Sequence, residues 1–171
     1  MSKKFIFDGY VTWAKLFPEN MDKADFHMEK GDGAYTCNFY FKNEEDIQKL
    51  IDAGMPESQL GYDTFREPEE FMDDDSNKYM KLKRYHKGPF LTDEGVDIYG
   101  GPPVVYDHTD GPSSTEWSFE AQGPLGNGTE VKVILELWST KRGKGVRLLE
   151  VAVIDQVSFN PEDVEVLSLA G

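Results

Sequence analysis

The sequence predicts an all-β fold with one inserted helix, a small barrel of short strands. Three observations carry that expectation. Runs rich in β-branched and aromatic residues recur in strand-like lengths, one run alone has helical periodicity, and long Gly- and Pro-rich stretches separate the rest. At 171 residues, with 39% hydrophobic and 13% aromatic side chains, the chain suits one domain with a real core.

The elements follow in order. "YVTWAKLF" (10–17) reads as the first strand, and the polar run from Met21 to Gly33, ending in "GDG", reads as a loop. "AYTCNFYF" (34–41) is a second strand, with Tyr35, Cys37, Phe39 and Phe41 on one face and Thr36, Asn38 and Tyr40 on the other. "NEEDIQKLIDAG" (43–54) is the helix. Asn43 is placed to cap it, three acids suit the positive end of its dipole, Ile47, Leu50 and Ile51 form its apolar stripe, and Gly54 ends it. Residues 55–77 read as a solvated acidic loop, because "EPEEFMDDDSN" fits no cation-loop spacing.

Residues 78–87 form the most informative strand. Met80 and Leu82 point one way, while Tyr79, Lys81, Lys83, Tyr85 and Lys87 point the other. Short strands are expected at 103–107 and 117–120. "TEVKVILELWST" and "GVRLLEVAVIDQVSF" read as two long strands joined by "KRGKG". The first sets Val131, Val133, Leu135 and Leu137 against Lys132, Ile134, Glu136 and Trp138. The second alternates less strictly, as a strand covered on both sides at one end would. The domain is expected over 1–157, with 158–171 as a short tail.

Several classes are excluded. There is no P-loop, no nucleophile elbow and no His/Cys metal spacing, so neither catalysis nor a cofactor or metal is expected. Cys37 is the only cysteine, so no intrachain disulfide forms. No stretch has the apolar length of a membrane helix and the N-terminus lacks a secretory signal, which implies a cytoplasmic protein. "NGT" at 127–129 then reads as a turn.

The charge is segregated. The chain carries 32 acids against 18 bases, a net charge of −14. Twelve acids lie between Asn43 and Asn77, yet "KYMKLKRYHKGPF" (78–90) holds five Lys/Arg and no acid. Such a strip has a use with single-stranded nucleic acid, where lysines follow phosphates and aromatic rings stack on unpaired bases. An ordinary solvated strand face with Tyr at its rim fits the strip alone equally well. Trp13 and Lys15 on the first strand add to the binding reading, as do Lys132, Trp138 and the tip residues Lys141, Arg142 and Lys144, although a Trp taken singly also reads as core. An acidic DNA mimic and a structural β-domain of a virion or replisome are the rivals; a mimic has no use for a basic strip.

The chain resembles the single-stranded DNA-binding proteins of T7-like phages. The blocks that carry the resemblance are "YVTWAKLF", "AYTCNFYFKNEEDIQKLIDA", "YMKLKRYHKG", and "GPLGNGTEVKVILELW" with "GKGVRLLEVAVIDQVSF". It implies an OB-fold, a five-stranded barrel, and a host-cytoplasmic phage protein that coats single-stranded DNA in replication and recombination. Phage replication proteins would be its further partners, and it would be a monomer or weak homodimer. Tyr85 in "KRYHKG" matches a stacking position of that family, Lys132 in "EVKV" matches a DNA-contacting position, and Trp138 lies near an aromatic contact. The C-terminus departs from the pattern. The family's long acidic tail ends in an aromatic, whereas "SFNPEDVEVLSLAG" has only Glu162, Asp163 and Glu165.

Overall fold

The first strand, β1 (Ser2–Lys15), begins well before the expected start at residue 10. The computed structural model, which describes residues 2–59, 61–69, 72, 77–88, 100–140 and 143–158, gives the reason. Residues 2–11 of β1 pair with β7 (Thr129–Thr140), and residues 9–15 pair with β2 (Ala34–Phe41), so one long strand serves two neighbours. Gly9 sits where the two ladders overlap. A Cβ there would run into the Tyr40 carbonyl and the Phe39 ring, so the close approach requires glycine.

Two helices follow that β1–β2 frame. The polar run before β2, expected as a loop, contains α1 (Asp25–Gly31). It ends at Asp32 in the left-handed conformation, φ 56°. The expected helix is α2 (Glu44–Asp52). Its acids occupy the first turn, Leu50 is fully buried and Gly54 ends it with φ 107°. Asn43 holds the N-cap position, but its side chain makes no capping bond. The acidic segment forms a two-strand ribbon, β3 (Ser58–Gln59) and β4 (Tyr62–Asp63).

The basic strip forms β5 (Tyr79–Tyr85), β6 is Val104–Asp107, and β8 is Gly143–Asp155. The expected strand at 117–120 is instead the short helix α3 (Phe119–Gln122), capped by the Ser118 hydroxyl. The main sheet runs β5-β2-β1-β7-β8-β6, antiparallel except for the parallel pair of β6 and β8. The expectation of an all-β fold holds, with more elements than the five strands and one helix expected. The described residues hold a six-stranded sheet and three α-helices, and no ladder closes the sheet. β8 alternates loosely because its register slips opposite Ile134 and Leu135 and again opposite Glu130 and Val131, each slip shifting the inward set by one residue.

The sheet curls so that β5 approaches β8, although three strands separate them in the sheet. The inner face is apolar: Phe7, Phe39, Leu82, Val133, Leu135 and Val151 are all buried. Each such side chain contributes about 1.5–3 kcal/mol. Burial pushes the Cys37 thiol among them up to about 12. The gap between β5 and β8 is spanned by Arg84. Its guanidinium donates to the carbonyls of Leu148 at 3.0 Å, Gly101 at 2.6 Å and Gly100 at 3.3 Å.

Arg84→Ala should therefore lower stability by about 2–4 kcal/mol in urea unfolding, because it strips charged donors from half-buried carbonyls. Arg84→Lys should recover little, since an ammonium cannot reproduce the planar fork.

Candidate nucleic-acid interface

The outer face of β1, β2 and β5 is built in cross-strand rows. Tyr10, Tyr40 and Tyr79 form one row, Thr12, Asn38 and Lys81 the next, and Lys15, Thr36 and Lys83 the third. Tyr85 lies opposite Ala34 at the end. This is the face that the alternation of 34–41 and 78–87 assigns away from the core. Met80 and Leu82, on the other side of β5, are each 3% exposed.

The rows differ in character. Tyr79, expected as a stacking platform, is only 9% exposed and stacks on Tyr40 at 4.8 Å between centroids. The pair forms a floor and offers little free ring. Burial pushes the Tyr40 hydroxyl up to about 12, with the Glu69 carboxylate adding to the shift, so it remains a donor. Lys15, Lys81 and Lys83 are exposed. The Lys83 ammonium stands 5.0 Å from the centre of the half-buried Tyr85 ring, whose β-carbon rests on Gly31 of α1. Lys87 lies past the end of β5 and pairs with Asp32 at 2.8 Å. That bond holds the Asp32 carboxyl below its ordinary range.

Trp13 reaches this face through a bulge. The β1–β2 register breaks between Thr12 and Lys15, and Trp13 has φ 51°, a conformation costing a non-glycine residue about 1–2 kcal/mol. Its N–H donates to the Asn127 side chain at 2.7 Å, and its indole N–H donates to Glu69 at 3.2 Å. The ring remains 48% exposed. The "NGT" turn thus anchors the bulge.

Other expected residues lie elsewhere. Lys132 faces outward but pairs with Asp8 at 3.8 Å, one strand beyond the rows. Trp138 is six residues further along β7, with the Arg147 guanidinium 5.5 Å from its ring. At about 3.3 Å per residue it stands roughly 20 Å from Lys132, off the tyrosine and lysine rows. Lys144 is the second residue of β8, where its backbone exchanges two 3.0 Å bonds with the Gln59 side chain. Lys141 and Arg142 lie outside the described residues, as do residues 159–171 of the expected tail.

Sequence reasoning missed other members. α1 carries Phe26, 59% exposed, its ring 4.0 Å from that of His27, which meets Tyr85 edge-on at 6.2 Å. Burial lowers the His27 pKa; nearby Asp22 opposes this, while Lys83 and Lys15 add to it. A cleft beside β5 joins Lys81 and Lys83 to Gln59, Tyr62, Asp63 and Arg66, and Tyr62 is 69% exposed. Exposed aromatics in a short polar helix and an acidic ribbon have no periodic signal that singles them out. The face as a whole offers cations and rings and no nucleophile with an activating base. No cluster of His, Cys, Asp and Glu among the described residues is set to hold a metal ion.

No protein-family model matches the chain, and no curated protein matches it in sequence. Solved structures do match. One is gp2.5, a single-stranded DNA-binding protein encoded by bacteriophage T7, at TM-score 0.58 and 18% identity over 96% of this chain and 98% of the other. Another is the single-stranded DNA-binding protein of bacteriophage Enc34 with its C-terminus truncated, at TM-score 0.56 and 14% identity over 93% and 88%. The Enc34 protein in complex with single-stranded DNA gives TM-score 0.53 and 14% identity over 92% and 88%. The chain has the fold of these phage single-stranded DNA-binding proteins. The likeness spans nearly all of both chains, so it belongs to the whole domain and not to a shared hairpin. It agrees with the resemblance carried by the sequence blocks.

The Tyr79–Tyr40 floor predicts a stability difference between two variants. Tyr79→Ala should cost about 3 kcal/mol as a buried ring is lost, while Tyr40→Phe, which keeps the stack and loses one hydroxyl, should cost about 1 kcal/mol. Urea midpoints measure both.

Proposed function

We propose that this protein binds single-stranded DNA without sequence preference, as a phage protein that coats and protects exposed strands during replication and recombination. The observation that carries the reading is the lysine and aromatic face on β1, β2 and β5, in a domain whose fold is shared with phage single-stranded DNA-binding proteins. Lysines at Lys15, Lys81 and Lys83 follow a phosphate backbone, and the rings of Trp13 and Tyr85 stack on bases. Both contacts tolerate any sequence, because every nucleotide has a phosphate and a π-face. The role is binding and not catalysis.

Strands β1, β2, β5, β7 and β8 are the five strands of an OB barrel, and β6 is an addition at its edge. Nucleotides lie across the outer face of β1, β2 and β5, as they do on the strand face of that fold. The setting is the cytoplasm of an infected host, with phage replication proteins as further partners and the protein itself a monomer or weak homodimer. The net charge of −14 repels polyanions at long range and leaves the basic face as the place of contact.

Two substitutions separate the contributions. Tyr85→Ala should weaken binding of an oligothymidylate by about 1–3 kcal/mol with the salt dependence retained. Lys83→Ala should weaken it less and lower the salt slope by about 0.7. Fluorescence titrations at several salt concentrations measure both. Affinity for duplex equal to that for single strand of the same length would overturn the proposal.

A further inference from the structure

Glu69 belongs to a segment that its composition marks as a solvated acidic loop, yet it lies on the proposed binding face. The backbone delivers it there. The Arg66 N–H donates to the Tyr79 carbonyl at 2.7 Å and the Tyr79 N–H returns to the Arg66 carbonyl at 3.0 Å, tying the segment to the start of β5. The Glu69 N–H then donates to the Tyr40 hydroxyl at 3.2 Å. Its carboxylate spans two strands. One oxygen accepts from Asn38 Nδ2 at 3.0 Å and from the Tyr40 hydroxyl at 3.2 Å; the other accepts from Trp13 Nε1 at 3.2 Å. Three donors of the face thus hold an internal anion. Two negative oxygens set among N–H and O–H donors are what the non-bridging oxygens of a phosphodiester would also present.

We infer that Glu69 is a specificity-determining residue, an internal phosphate surrogate that makes the face select flexible single strands over other polyanions. The inference rests on the proposed single-strand binding. A single strand can turn its phosphates towards Lys15, Lys81 and Lys83 and lay its bases on Trp13 and Tyr85, away from the carboxylate. A duplex holds its phosphates at fixed spacing, meets Glu69 with like charge, and gains no stacking in return. Glu69 therefore costs a duplex more than it costs a single strand.

The test measures affinities of oligothymidylate and of duplex of equal length for the wild-type protein and Glu69→Gln. That substitution keeps the side chain's size and an acceptor oxygen while removing its charge. Duplex affinity should rise about tenfold and single-strand affinity about threefold or less, narrowing the ratio between them. Glu69→Asp, which keeps the charge but withdraws it from the donors, should narrow the ratio by less. Asp110→Asn, an exposed acid after β6, controls for net charge and should leave the ratio as it is. Equal gains for both ligands, an unchanged ratio, a loss of affinity for both, or the same effect from Asp110→Asn would overturn the inference. If the wild-type protein fails to bind oligothymidylate, the functional reading falls and takes this inference with it. If it binds and Glu69→Gln leaves the ratio alone, only this inference falls.

Discussion

The anchoring of Arg84 decides which way β5 faces, and the rest of the structure follows from it. A strand at the edge of a curled sheet has one partner and could twist away. Here the guanidinium reaches across the interior gap to carbonyls of β8 and of the turn before β6. The side chains of even-numbered residues 80, 82 and 84 are thereby fixed inward, and period-two geometry sends Lys81, Lys83 and Tyr85 outward. A one-residue slip would bury three polar side chains and expose Met80 and Leu82, so the register is strongly specified. The apolar core and the lysine and tyrosine face are the two sides of one constraint.

Most strands were legible because alternation is local. The ends of β2 and β7 agree with the sequence reading, and the inward set on each is buried, although Tyr40 on the outward face of β2 is buried as well. What alternation gives is inward or outward. It does not say which part of a curved outer surface a residue occupies. Hence Trp138 and Lys81 both read as outward, yet one sits beside Arg147 and the other in the middle of the lysine rows. The burial of Tyr79 is hidden for a related reason, since it comes from Tyr40 across the ladder, a partner thirty-nine positions away that no local pattern identifies. The first half of β1 was missed because its pairing with β7 is long-range. The helix α1 was missed because its seven residues show no apolar stripe.

The acidic segment carries the clearest lesson about charge. Composition assigns it to solvent, and in part that holds: Glu67 is exposed even as it pairs with Lys78 at 3.5 Å. Glu69 differs because the backbone bonds between Arg66 and Tyr79 carry it onto the sheet. A net charge describes long-range behaviour, but a single carboxylate tied to three donors acts at contact distance. The protein thus sets opposite charges side by side, with lysines along one line of the face and an acid among the neutral donors of another.

On the proposed function, single-stranded DNA lies across the outer face of β1, β2 and β5. Ultraviolet crosslinking of an oligothymidylate to the protein, followed by peptide mapping by mass spectrometry, tests it directly. Crosslinks should form at Trp13 and Tyr85, with Phe26 or Tyr62 marking the ends of the track, and none at Trp138. Crosslinks confined to Trp138 or to the region of β6 and α3 would contradict it.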